Sequence, residues 1–290
     1  TTDVDHSDSL DEEPHITPGE VAYLMAAVES RYPSLALTLD DVLATFAGVR
    51  PVINTGKADP SAESRDHVVW TENGLLTVTG GKLTTFRLIA LDALKAARPA
   101  LPDMPKIDED APALNEVTED LPDILPESVR RRLIGRYGVD AAALVAAAQP
   151  GELETIPNTN VLWTELRWAA RSEGVVHLDD LLLRRVRLGL LLAQGGAALK
   201  ERIQALCQAE LGWDEARWTA EWNLYRKRWE ANYSLPPRDV IPDWRTMLHK
   251  PETTPVLVNK RGRGQTVIAA GLLGTAVALI LLYLGLRKRA

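Results

Sequence analysis

The sequence predicts an α+β chain: a short β-α region, then an all-α helical domain, then a C-terminal apolar helix. Three observations carry that reading. Residues 75–79 form a short apolar and threonine-rich run, Gly80 and Gly81 follow, and Phe86, Ile89, Ala90, Ala93 and Leu94 then recur at helical spacing. Residues 121–234 read as helical throughout and are punctuated by glycines. Residues 266–286 are apolar or small and carry no charge, enough to cross a hydrocarbon core about 30 Å thick.

At 290 residues the chain has room for about two domains. Its net charge of −7 argues against a nucleic-acid partner. The single cysteine, Cys207, allows no internal disulfide and sits in a helical pattern as a small hydrophobe. The chain opens without an initiator Met or a signal peptide, so we expect part of a longer protein upstream.

Taken in order, residues 1–15 are polar and acidic, with a strand end expected at 1–4. Thr17-Pro18-Gly19-Glu20 starts a helix: Thr caps, Pro fits the first position and Glu stands where a capping box needs it. Val21, Leu24, Met25 and Val28 give it one apolar face, and it ends near Tyr32-Pro33. A short helix or turn is expected from Thr38, a strand over 45–52, and a polar loop over 54–64. A further strand is expected over 65–70, then a hairpin-like turn at Glu72-Asn73-Gly74. Thr84 or Thr85 is expected to cap the helix that follows strand 75–79.

Residues 98–120, rich in Pro, Asp and Glu, read as a linker between a first domain at 1–97 and a helical domain at 121–234. In the helical domain, helices are expected over 126–137, 140–148, 163–173, 178–194, 197–211 and 214–233. Trp218, Trp222, Tyr225 and Trp229 form one face of the last and read as core. Residues 235–264 read as a proline-rich, basic tether to a transmembrane helix at 265–287. Basic residues flank that helix on both sides, which leaves its orientation open.

Three cations stand at structural edges: Arg50, Arg65 and Lys82. Arginine forks hold phosphate or carboxylate, and a helix amino end favours an anion, so the three could converge on one anionic ligand. Surface pairing with Glu63, Asp66 or Glu72 is the other reading. Arg184, Arg185 and Arg187 follow Asp179-Asp180, and the i, i+4 pair of Asp180 and Arg184 suggests a salt-bridged face. The five histidines, with one cysteine, show no metal-ligand spacing. Residues 80–85 are not a P-loop, because Leu83 stands where a hydroxyl residue should follow Lys82; no GxGxxG occurs.

Four ordered motifs then acquire a common meaning: Thr1-Thr2-Asp3, Ala47-Gly48-Val49-Arg50-Pro51, Asp59 to His67, and Thr79 to Arg87. With Glu173-Gly174 and Leu178 to Arg185, they make residues 1–234 resemble the FAD-dependent glycerol-3-phosphate dehydrogenases. Phe86 stands where that family often has Tyr. The family's flavin-binding Rossmann half has no counterpart in this sequence, so the chain resembles a carboxy-terminal half, and the terminal apolar helix is an addition to the family pattern. The resemblance implies an incomplete FAD-binding and substrate region followed by the helical domain. It implies oxidation of sn-glycerol 3-phosphate to dihydroxyacetone phosphate, with hydride passing to FAD and electrons to a quinone. By motif, Arg50, Arg65 and Lys82 would bind substrate. Gly80, Gly81, Lys82, Leu83, Thr84 and Thr85 would face the flavin. The general base stays unassigned. The expected partners are the missing FAD-binding half, glycerol 3-phosphate, a quinone and the membrane, with the catalytic part cytoplasmic. The alternative is a degenerate, membrane-tethered interaction module without activity.

Overall fold

The computed structural model describes residues 2, 9–49, 66–114, 116–117 and 121–248. Expectations that fall on Arg50, Arg65 and residues 249–290, including the apolar helix at 265–287, lie outside the described residues. Among the described residues no helix is long and apolar enough to cross a membrane. The chain divides into two compact units, one of residues 50–153 and one of residues 1–49 with 154–290. This division cuts the chain at other points than the proline-rich segment 98–120.

In the first of these units, β1 (His67–Glu72) and β2 (Leu75–Gly80) pair antiparallel, with His67 opposite Gly80 and Val69 opposite Val78. Asn73 and Gly74 make the connection with φ of 50° and 80°, the left-handed pair that suits the twist of a two-residue hairpin. Gly80 and Gly81 continue at φ of 78° and 79°. A 3₁₀ turn over Leu83–Thr85 then leads into α2 (Phe86–Ala97), which packs on both strands. Thr85 holds the N-cap position of α2, as the sequence suggested, but its side chain makes no capping bond to that helix. Its hydroxyl turns back to Lys82, donating to the Lys82 carbonyl (2.9 Å) and accepting from the Lys82 N–H (3.2 Å). The intervening 3₁₀ turn causes the difference, because it puts Thr85 at the third position of a tighter turn. Further along, α3 (Glu127–Tyr137) ends at Gly138 with φ 55°, α4 (Ala141–Ala146) lies against it, and Leu133, Leu144 and Ala141 are buried.

The other unit opens with α1 (Pro18–Arg31). Its capping box forms as read: Thr17 Oγ1 accepts from the Glu20 N–H (3.3 Å) and Glu20 Oε2 from the Thr17 N–H (3.0 Å). Val21, Leu24 and Met25 bury its apolar face against Trp244. Residues 235–248, read as the start of a tether, are therefore packed structure. Leu235, Ile241 and Met247 join the same cluster, Trp244 donates to Glu29 (2.6 Å), and α9 (Arg245–Leu248) lies on α1. The strand expected over 45–52 does not form in its described part, 45–49. The segment is instead fastened to the end of α8 (Glu215–Asn232), where Thr45 donates its N–H to the Tyr233 carbonyl (2.8 Å) and its hydroxyl to that of Ser234 (3.2 Å).

The main core lies among α5 (Trp163–Ser172), α6 (Leu188–Leu191), α7 (Lys200–Cys207) and α8. Trp218, Trp222, Tyr225 and Trp229 are all buried there, as their spacing required, and so is Cys207. The helix expected over 178–194 is broken. A π-helical turn spans Asp180–Arg185, Arg187 takes φ 56°, and Gln194, Gly195 and Gly196 are all left-handed. Consecutive Leu181, Leu182 and Leu183 are all buried, so this stretch is enclosed rather than one-faced. Side chains of α8 claim its carbonyls: Tyr225 donates to Gly195 (2.6 Å) and Trp229 to Gly189 (2.7 Å). A Cβ at Gly189 would stand 2.6 Å from the Tyr225 hydroxyl, so the approach needs glycine.

Candidate functional site

The strand–turn–helix singled out in the sequence forms a small open cavity of about 180 Å³, lined by Asp66, His67, Gly81, Lys82, Thr85 and Leu88. Its geometry begins with the two left-handed glycines. A Cβ on Gly81 would lie 2.5 Å from Ile89 Cδ1 and 3.2 Å from His67 Cβ, so turn, strand and helix meet without space for a side chain. Lys82 follows in extended backbone, is exposed, and has its backbone held by Thr85. Leu83 and Thr84 are exposed as well, Leu83 at 89%. Thus Gly80 to Thr85 form one surface element. Arg50 and Arg65 lie outside the described residues, so their convergence with Lys82 stays a proposal.

His67 and Asp92 were not singled out by sequence reasoning. His67 opens β1 and its Nε2 stands 2.9 Å from Asp92 Oδ2 on α2. They are 25 residues apart, a separation that follows no helical or strand period, so no local pattern could pair them.

A larger cavity, about 410 Å³, lies in the other unit along α8 and is lined by charged groups including Glu13, His177, Asp179, Glu221 and Arg228. Asp179 organises it. Arg184 donates to Asp179 Oδ2 at 2.5 Å and Arg228 donates to the same oxygen. The expected Asp180–Arg184 pair exists at 3.4 Å, but the closer partner is Asp179. Burial alone would raise the Asp179 carboxyl; the Arg184 hydrogen bond and the Arg228 charge outweigh it and hold the group below its usual range. Arg228 also reaches Glu13 (3.1 Å), whose other oxygen accepts from the Tyr233 hydroxyl (2.6 Å). Glu221, nearly buried, accepts from Arg217 (2.7 Å), the Leu178 N–H (3.1 Å) and pairs with His177 (3.1 Å). These acids are matched by donors, the arrangement of a structural charge network. Among the described residues no group of His, Cys, Asp and Glu could hold a metal ion.

Comparison with known proteins first finds a match for one stretch of the chain. Residues 108–218 match the model of the C-terminal domain of alpha-glycerophosphate oxidase. Particular relatives match along most of the chain. It is 31% identical over 262 residues to glycerol-3-phosphate dehydrogenase 2 of Mycobacterium tuberculosis (strain ATCC 25618 / H37Rv), covering 84% of this chain and 44% of that protein. It is 32% identical over 263 residues to glycerol-3-phosphate dehydrogenase of Mycobacterium leprae (strain TN), with the same coverage of 84% and 44%. The mitochondrial glycerol-3-phosphate dehydrogenase SDP6 of Arabidopsis thaliana is 27% identical over 267 residues, covering 75% of this chain and 39% of that protein. The chain thus spans less than half the length of these curated relatives.

Proposed function

We propose that this chain is the carboxy-terminal part of a flavin-dependent glycerol-3-phosphate dehydrogenase, oxidising sn-glycerol 3-phosphate to dihydroxyacetone phosphate. The observation that carries the reading is similarity to proteins of that name along 84% of the chain. The Gly80–Thr85 turn supports it, because a glycine approach, a lysine and a helix entry suit an anionic ligand edge.

FAD fits these residues only along one edge. A cavity of about 180 Å³ is below the roughly 300–1,000 Å³ of pockets that enclose a ligand, so Gly80, Gly81, Lys82, Leu83, Thr84 and Thr85 would cover one side of the ring and the upstream half would hold the rest. Bound there, the flavin would supply the hydride acceptor, with a quinone as the onward electron acceptor. The chain's own part is electrostatic. Arg50 and Arg65 hold the phosphate by their forks, and Lys82 adds a third positive charge that binds the anionic substrate. We assign residues 121–234 to the enzyme's helical C-terminal domain, and residues 265–287 to a membrane anchor with the catalytic part on the cytoplasmic side.

The test is kinetic. In the complete enzyme, Arg50→Ala or Arg65→Ala should raise KM for glycerol 3-phosphate by about 100-fold, in line with about 3 kcal/mol for a lost charge-assisted bond. An unaltered KM in both variants would remove phosphate recognition from these positions.

A further inference from the structure

The geometry points to His67, held by Asp92, as a positioning residue for Lys82; the inference rests on the reading of Lys82 as a substrate-binding residue. His67 is the ladder partner of Gly80, two residues before Lys82. Its ring is mostly buried (16% exposed) and bonded to Asp92 on the second turn of α2. A Cβ added to Gly81 would meet His67 Cβ on the strand side and Ile89 on the helix side. The turn bearing Lys82 is therefore wedged between β1 and α2, and the His67–Asp92 bond ties those two elements across it. At its far end Lys82 is fixed by Thr85, whose N–H donates to the Lys82 carbonyl (2.9 Å) and whose hydroxyl accepts from the Lys82 N–H. His67 and Lys82 also line the same cavity. Loosening the tie should let the turn shift as a unit and carry the lysine charge away from the place the substrate phosphate would occupy, which weakens binding and so raises KM.

The experiment is a double-mutant cycle in the complete dehydrogenase, read beside backbone amide exchange of residues 81–85 in this chain. Lys82→Ala comes first: if glycerol 3-phosphate is not oxidised by the parent, or KM ignores Lys82→Ala, the functional reading fails on its own and takes this inference with it. Given a KM effect there, His67→Leu should raise KM about tenfold with kcat within threefold, and should speed exchange at residues 81–85 about tenfold. His67→Gln, which can still donate to Asp92, should restore KM to within threefold of the parent. In the Lys82→Ala background His67→Leu should add less than twofold, because its effect runs through the lysine. An equal KM effect in both backgrounds, or no effect with exchange unaltered, overturns the proposal. If His67→Leu does not fold, Asp92→Ala breaks the same tie from the partly exposed side; it should reproduce the KM rise, and an unchanged KM overturns the proposal equally.

Discussion

Gly81 shows how one residue sets this site. Two costs would fall on a side chain there: the left-handed backbone at φ 79° and the overlap with Ile89. Gly74 has the same backbone, φ 80°, but open space around it. Gly81→Ala should therefore destabilise the fold by about 2–5 kcal/mol and Gly74→Ala by about 1–2, since strain alone costs about 1–2 and overpacking adds about 1–3. Urea unfolding of the two variants measures the difference; equal losses would mean that Ile89 moves aside freely. The sequence made the glycine pair visible because it stood between a strand pattern and a helix pattern. It left His67 and Asp92 unpaired, because hydrogen bonds between side chains 25 positions apart leave no periodic trace.

Elements were legible where their signal is local. The start of α1 was written in Thr17, Pro18 and Glu20, and the face of α8 in four aromatic residues. The junction of α5 with the residues after α7 was not. There Arg171 grips Glu210 with two bonds of 2.9 Å and Arg167 adds one of 2.7 Å. The bonds from Arg171, with the support of Arg167, lower the Glu210 carboxyl from 4.5 to about 2. A carboxyl depressed in the folded state contributes stability above its unfolded pKa and loses it as pH falls through the folded one. Glu210→Gln should therefore cost about 1–3 kcal/mol at pH 7, the range for hydrogen bonds to charged groups, and its gap to the parent should close as pH falls from 4.5 towards 2. Denaturant midpoints across that range provide the check. A gap independent of pH would show that shape, not charge, matters at this junction. The segment 178–194 was the misreading at this scale: its apolar run predicted one helix, whereas α8 side chains bind its carbonyls and hold it in three pieces.

For the whole molecule, the region around β1, β2 and α2 is the informative part. Trp70 is 45% exposed, Leu75 68% and Phe86 52%, and α2 buries no residue fully. On the proposed function, these apolar side chains are the ones an upstream half would cover. On the proposed function, the purified chain alone should show no flavin absorbance, whereas the same chain produced with an upstream flavin-binding half should show about one flavin per complex. A stoichiometric flavin spectrum from the chain alone would overturn the incomplete-site reading. The helical region behaves differently, with its aromatic core closed on itself.

The sequence by itself determined the local events: the capping box of Thr17 and Glu20, the Asn73-Gly74 hairpin, the left-handed Gly80 and Gly81, and the buried aromatic face of α8. Each depends on backbone sterics or on residues within a few positions of one another, so the code is read within one window. Only the tertiary structure decided that residues 235–248 close on α1, that segment 45–49 fastens to the end of α8 instead of forming a strand, that Asp179 rather than Asp180 is the main partner of Arg184, and that His67 meets Asp92. Those outcomes depend on which distant donors and apolar faces arrive together when the chain packs. No local window contains those partners, so local propensity gives way to the packing that brings them together.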